Sequence, residues 1–213
     1  MAIISNEESP RPDIYIGLVC AAGTDLSEVK HQLQAQLSVV GYSYTEIKVS
    51  RLISDLLGLE SKSDEFERIK YLMKAGDVVR QSSENGHGVA AAVIADLRLK
   101  RDSEDVPSST AYVIDSLKNP AEIDLFDKVY GRNYYTVSVY LPKEERIENL
   151  AHKIAKDRHQ PPEDSHRILA EDLVIDDEKG IGKRAQNVRE TFPKADYFVN
   201  AKEDIPSQVK RFT

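Results

Sequence analysis

IGLVCAAGTDLSEV, residues Ile16–Val29, has the outline of a phosphate-binding loop without its lysine. The apolar run through Leu18 and Val19 enters a small-residue turn, Cys20-Ala21-Ala22-Gly23-Thr24, and the turn opens into a helical pattern. A loop that transfers phosphate carries Gly-Lys-Ser/Thr at its end. This chain has Asp25-Leu26-Ser27 there. A continuous apolar run at residues 13–20 reads as a buried, parallel strand. Leu26, Val29, Leu33, Leu37 and Val40 then recur at helical spacing over residues 25–40, and Gly41 supplies the stop.

Working outward, the same alternation repeats. Residues 42–50, rich in aromatic and β-branched side chains, predict a second strand. Helices are expected at 52–59, 64–83 and 88–100. TAYVID, residues 110–115, reads as a third strand ending on an acid. Asn119 and Pro120 open a helix over 119–130, as cap and first helical residue. A fourth strand at 134–141 and a charged helix at 143–158 follow. HQPPEDSH, residues 159–166, is a loop tip. Further helices are expected near 164–173 and 181–191, with a short fifth strand at 195–200 and a final amphipathic segment. Strands separated by crossover helices specify a doubly wound parallel α/β sheet with helices on both faces. One domain over 13–213 accounts for the pattern, after a polar leader, 1–12, that reads as disordered.

Composition narrows the function classes. The chain has 213 residues, 40% hydrophobic and 31% charged, as in an ordinary globular domain. No apolar run approaches the roughly 20 residues that cross a bilayer. The first residues lack a signal-peptide core, so a cytoplasmic protein is expected. Cys20 is the single cysteine, which fits a reducing compartment and leaves no Cys-x-x-Cys zinc pair. A net charge of −7 argues against a broad nucleic-acid surface. It leaves room for a small anionic ligand held by a few local donors.

Candidate site residues gather at the carboxyl ends of strands, where open α/β sheets bind ligands. In the first loop, Gly23 permits close approach, and Thr24 and Ser27 offer hydroxyls to a phosphate or to Mg²⁺. Two readings stay open there: a tight turn in which Asp25 caps the helix, or an anion-binding loop. At the second strand end, Asp115 stands where an acid would hold Mg²⁺, and Lys118 could reach a phosphate. Each also reads as an ordinary turn or surface residue. The charged helix supplies Arg146, Lys153 and Arg158, with Arg167 beyond it, either as lid cations or as a solvated, paired face. His87, His152, His159 and His166 match no metal motif and read as exposed. Cys20 reads as a small buried hydrophobe.

Taken together, residues 16–53, AYVIDSLKNPAEIDLFDKVYG (111–131) and QNVRETFPKADYFVN (186–200) resemble the N-terminal, P-loop kinase-like region of bacterial anti-phage dCTP (deoxycytidylate) deaminases. The resemblance spans nearly the whole chain after the leader, and the middle segment is also similar to dephospho-CoA-kinase-like proteins. It implies a P-loop-kinase-like domain whose Gly23, Thr24 and Ser27 fall on the phosphate loop, Asp115 on the second acidic motif and Arg146 at the lid start. Leu26 departs from the kinase pattern.

In that family a zinc-dependent deaminase domain follows and depletes deoxynucleotides during infection. Its site needs a His/Cys/Cys shell and a catalytic Glu. With one cysteine, this chain cannot carry deamination by itself. The expectation is therefore a regulatory, nucleotide-binding domain with no catalytic residues of its own. Its binding residues are Gly23, Thr24, Asp25, Ser27, Asp115, Lys118, Arg146 and Arg158. Its ligand is a nucleotide, with or without Mg²⁺, and zinc belongs only to a deaminase domain attached to it or partnering it. Homo-oligomerisation is expected. The alternatives are a small-molecule kinase of the nucleotide or dephospho-CoA type, using Lys118 or Arg158 as substitute cation, and a non-catalytic oligomerisation scaffold.

Overall fold

The computed structural model describes residues 11–103, 109–178 and 185–213. Strand β1 (Ile14–Cys20) leads through the loop to α1 (Ser27–Val39) and β2 (Ser43–Lys48). Three helices follow, α2 (Val49–Leu57), α3 (Glu65–Gln81) and α4 (Gly88–Ser103), before β3 (Thr110–Leu117). Then come α5 (Pro120–Tyr130), β4 (Tyr134–Tyr140), α6 (Lys143–Asp157) and α7 (Asp164–Glu178). The chain closes with α8 (Val188–Thr191), β5 (Tyr197–Asn200) and α9 (Ile205–Phe212).

All five strands are parallel, in the order β2-β3-β1-β4-β5. This is a doubly wound parallel α/β architecture with helices on both faces. Alternation along β1 assigns the faces. Tyr15 and Val19 point into a core with α2, α3, α4, α5 and α8. Ile16, Leu18 and Cys20 point into a second core under α1 and α9. Gly17 lies between Tyr15 and Val19 on the first face, where a Cβ would sit 2.4 Å from the Tyr134 hydroxyl. The absent side chain lets that tyrosine lie across the strand.

The chain leaving β1 turns to α1 on one face, and the chain leaving β3 turns to α5 on the other. The carboxyl ends of β1 and β3 therefore part, which opens a crevice between them. β3 carries an irregularity there. Leu18 pairs with Asp115 but Val19 pairs with Leu117, so Ser116 is the extra residue. A bulge of this kind re-aims the neighbouring side chains. A third apolar cluster joins α6 and α7 through Ile147, Leu150, Ile154, Leu173 and Val174, and docks the pair on Phe66 of α3 and Ala22 of the loop. Among the described residues no helix is long and apolar enough to cross a membrane.

Element boundaries depart from the pattern in a few places, each with a local cause. α1 starts at Ser27 and not at Asp25, because the Asp25 carboxylate takes the Ser27 N–H at 2.9 Å. β2 ends at Lys48, and the β-branched Val49 begins a helix because burial against the first core outweighs its strand preference. The helix expected over 181–191 is reduced to α8 within the described residues, with 181–184 outside them. At 186–187 the backbone is committed elsewhere. The Gln186 N–H goes to Asp77 Oδ1 at 2.9 Å and the Asn187 N–H to Lys118 O at 2.7 Å. α7 runs to Glu178, past the expected end at 173. Of the expected leader, residues 1–10 lie outside the described residues; Arg11 donates its N–H to Ser109 Oγ at 2.9 Å.

Candidate functional site

The loop after β1 is held from three sides. Thr24 N–H closes a turn on Ala21 O at 3.1 Å. Gly23 has φ +87°, and a Cβ there would meet Arg146 O at 2.3 Å, so glycine is required both by conformation and by contact with α6. Asn149 of α6 adds a hydrogen bond to Gly23 O at 3.0 Å. From the far side, Asp177 of α7 accepts the Ala22 N–H at 2.6 Å. The Thr24 hydroxyl is buried and has no partner among the described residues.

Asp177 is fully buried. Its carboxylate also receives Gln186 Nε2 at 2.6 Å and Lys118 Nζ at 3.0 Å. Lys118 in turn donates to Cys20 O at 2.7 Å, in the floor of the loop. Burial disfavours the Lys118 ammonium, but the Asp177 charge more than offsets it, so its pKa lies above the ordinary lysine value. The Cys20 thiol is pushed up by the same burial, and it is an inert part of the core.

At the end of β3, Asp115 is paired with Lys30 of α1 at 2.8 Å, and Lys30 also reaches Glu46 of β2 at 2.9 Å. Desolvation works against the Lys30 charge, but hydrogen bonds to Asp115 and Glu46 outweigh it and raise its pKa. Beneath Lys118 lies a second buried network. Glu122 caps α5 by accepting the Lys118 N–H at 2.7 Å and the Asn119 N–H at 3.2 Å, and it pairs with Arg80 Nε at 2.7 Å.

The loop, Lys30, Arg80, Asp115, Lys118 and Asp177 border a cavity of about 340 Å³ at the carboxyl ends of β1 and β3. Its apolar wall comes from Val49, Ile53, Ile69, Leu72, Met73 and Leu150. The loop, Asp115, Lys118 and Asp177 form the polar end, and Arg68 and Lys153 stand at the rim. Arg68 is tied to Glu65 at 2.6 Å and 2.9 Å. Lys153 has no ion pair among the described residues. The volume and the mixture of apolar wall and few polar groups suit a nucleoside-sized ligand.

Of the binding residues and lid cations singled out in the sequence, Gly23, Thr24, Asp115, Lys118 and Lys153 line this cavity, and Asp25, Ser27, Arg146, Arg158 and Arg167 do not. Asp25 and Ser27 face outward and satisfy each other, Ser27 Oγ donating to Asp25 Oδ1 at 2.6 Å. That bond and the Ser27 N–H hold the Asp25 carboxyl below the usual range. Arg146 is buried beside the loop, donating to Leu141 O at 3.1 Å and Glu178 at 2.7 Å. Arg158 pairs with Asp64 at 2.7 Å. Arg167 pairs across helices with Glu144.

His166, expected to be exposed, is buried. Its Nδ1 accepts the Glu163 N–H at 3.2 Å, which leaves Nε2 to donate to Gln160 Oε1 at 3.0 Å. It thus secures the start of α7. Among the described residues no three metal-ligating side chains converge.

Sequence reasoning missed Lys30, Arg80, Glu122, Asp177 and Gln186. A signal existed for one of them. His166, Ala170, Leu173, Val174 and Asp177 make one buried helical stripe, so Asp177 sits on an apolar face, where a carboxylate needs a partner.

A Mg²⁺–triphosphate of the phosphate-transferring kind does not fit the residues as they stand. Leu26 replaces the lysine and is buried in the second core. The Ser27 hydroxyl is taken by Asp25, the Ala22 N–H by Asp177, and Asp115 by Lys30. Of the loop and strand-end side chains that would meet phosphate or metal, only the Thr24 hydroxyl is without a partner among the described residues.

No protein-family model and no curated protein matches the chain. Solved structures do. An APS kinase from Mycobacterium tuberculosis, in complex with AMPPNP and APS, is 16% identical over 96% of both chains, with a TM-score of 0.48. A gluconokinase from Sinorhizobium meliloti 1021 is 12% identical over 92% of this chain and 87% of its own, with a TM-score of 0.41. APE1195 is 12% identical over 94% and 93%, with a TM-score of 0.47. At these identities and scores no substrate or residue role is carried over.

Proposed function

We propose that this domain recognises a nucleotide without transferring phosphate, and that it regulates a dCTP/dCMP deaminase, attached or partnering, that depletes deoxynucleotides during phage infection. The observation carrying the first part is the self-pairing of the kinase-type parts around an open cavity. The loop retains its backbone turn and its position at the crevice, while Leu26, Asp25–Ser27 and Lys30–Asp115 remove the means of holding Mg²⁺ and stabilising a transferring phosphoryl group. The apolar wall suits a base and sugar, and Arg68 and Lys153 suit a phosphate. The deaminase link rests on the likeness of residues 16–53, 111–131 and 186–200 to that family.

Calorimetric titration of the chain with dCMP, dCTP, CMP and ATP, with and without Mg²⁺, tests the binding reading. The expected result is saturable binding of at least one nucleotide, independent of Mg²⁺. Silence across the panel removes it.

A kinase reading has one observation in its favour. Lys118 places an ammonium at the floor of the loop, 2.7 Å from Cys20 O, on the cavity side. ADP release in a coupled assay with nucleoside, nucleotide and dephospho-CoA acceptors would establish it, and no turnover with any acceptor removes it.

A further inference from the structure

The four contacts that satisfy Asp177 are the contacts a phosphate oxygen seeks. A buried carboxylate is stable only where donors replace its water. Here the donors are a loop N–H at 2.6 Å, a lysine ammonium at 3.0 Å and 3.3 Å to the two oxygens, and a carboxamide at 2.6 Å. A strand-to-helix loop amide and a lysine at its base are a common way of holding a phosphoryl group. Independently, the Thr24 hydroxyl is buried on the same loop, borders the cavity and is left without a partner by the present arrangement.

We propose that Ala22, Thr24 and Lys118 form an anion site for a phosphate group, and that Asp177 is its intramolecular occupant, so that phosphate binding and docking of the last turn of α7 exclude one another. Two anions cannot share the Ala22 N–H and the Lys118 ammonium at hydrogen-bond distance without strong repulsion. Displacing Asp177 releases Gln186, whose backbone is held by Asp77, and loosens the neighbouring Glu178–Arg146 pair. The apolar contacts of Leu173 and Val174 with α6 lie one turn earlier and need not break. Occupancy of the loop is thereby converted into a rearrangement of one helix end, which an attached or partner domain can sense. The phosphate in question is that of the nucleotide proposed above, and to that extent the inference rests on that reading.

Asp177→Asn removes the competing charge and keeps the shape. In the full chain, titration with inorganic pyrophosphate at constant ionic strength is expected to show at least tenfold tighter binding by D177N than by the parent. Pyrophosphate is also expected to raise the unfolding midpoint of D177N more than that of the parent. The added substitution Lys118→Gln should abolish the gain. Equal affinities, or a folded D177N that binds no pyrophosphate, overturn the proposal. If D177N does not fold, hydrogen exchange on the parent decides. Pyrophosphate should speed exchange at residues 174–178 and slow it at 20–24, and an unchanged pattern overturns the site. Nucleotide titration in parallel separates the two readings. A pyrophosphate-responsive D177N that binds no nucleotide keeps the anion site and removes nucleotide recognition. Nucleotide binding with no effect of D177N does the reverse.

Discussion

Lys30, in the first turn of α1, and Asp115, near the carboxyl end of β3, form a 2.8 Å ion pair with less than a fifth of either side chain exposed. It closes the strand end that would otherwise present an acid to a metal. Lys30→Met leaves Asp115 without its partner and Glu46 with only Lys48, 4.0 Å away, and is expected to cost about 1–3 kcal/mol, read from urea unfolding. Because the Lys30 pKa is raised in the fold, its contribution is full below the ordinary lysine value and fades as pH rises through the higher folded one. The difference in urea midpoint between parent and variant should hold near neutrality and narrow only above about pH 10.

Restoring the missing lysine should not restore transfer. Leu26 packs with Val29 and Leu33 in the second core, so Leu26→Lys forces an ammonium into apolar surroundings. A loss of about 2–4 kcal/mol is expected, with no ADP release in a coupled assay. Turnover by a stable L26K protein would show that only the lysine is wanting.

Gly23→Ala meets two obstacles, a positive φ and the Arg146 carbonyl at 2.3 Å from the new Cβ. Because the second atom is backbone, relief requires the loop and α6 to separate. About 3 kcal/mol of stability should be lost, and nucleotide binding with it. A G23A chain of parental stability would mean that α6 yields freely.

The Arg80–Glu122 pair is almost wholly buried, at 2.7 Å. Arg80→Met is expected to cost about 3–5 kcal/mol, because it strands a buried carboxylate. Replacing Glu122 as well should recover only part of this, since its carboxylate also serves the N–H groups of Lys118 and Asn119. A double-mutant cycle by chemical denaturation measures the difference.

Lys153 stands at the cavity rim with no ion pair among the described residues. Lys153→Ala should leave stability within about 0.5 kcal/mol and weaken the best-binding nucleotide by roughly tenfold. An unchanged dissociation constant would show that Lys153 does not touch the nucleotide.

Much of this arrangement is local and so was readable in the chain itself. The two-residue alternation of β1 assigns Tyr15 and Val19 to one core and Leu18 and Cys20 to the other. Asn119 and Pro120 start α5 as cap and first helical residue, a signal that involves only neighbours. The loss of the lysine at Leu26 is likewise plain in the sequence. Arg146 and Arg158 were harder. A charged helix shows its cations but not whether Glu178 or Asp64 will meet them.

The sequence by itself determined the doubly wound parallel α/β class, the place of the loop between β1 and α1, and the residue types on it. Those depend on periodicity, capping and turn chemistry, which act over a few residues. Only the tertiary structure decided what the loop touches. Asp177 reaches Ala22 across 155 residues, and Lys118 reaches Cys20 across 98. The first contact is set by how α6 and α7 pack on α3 and on the loop, the second by the pairing of β1 with β3, and the local pattern names neither partner.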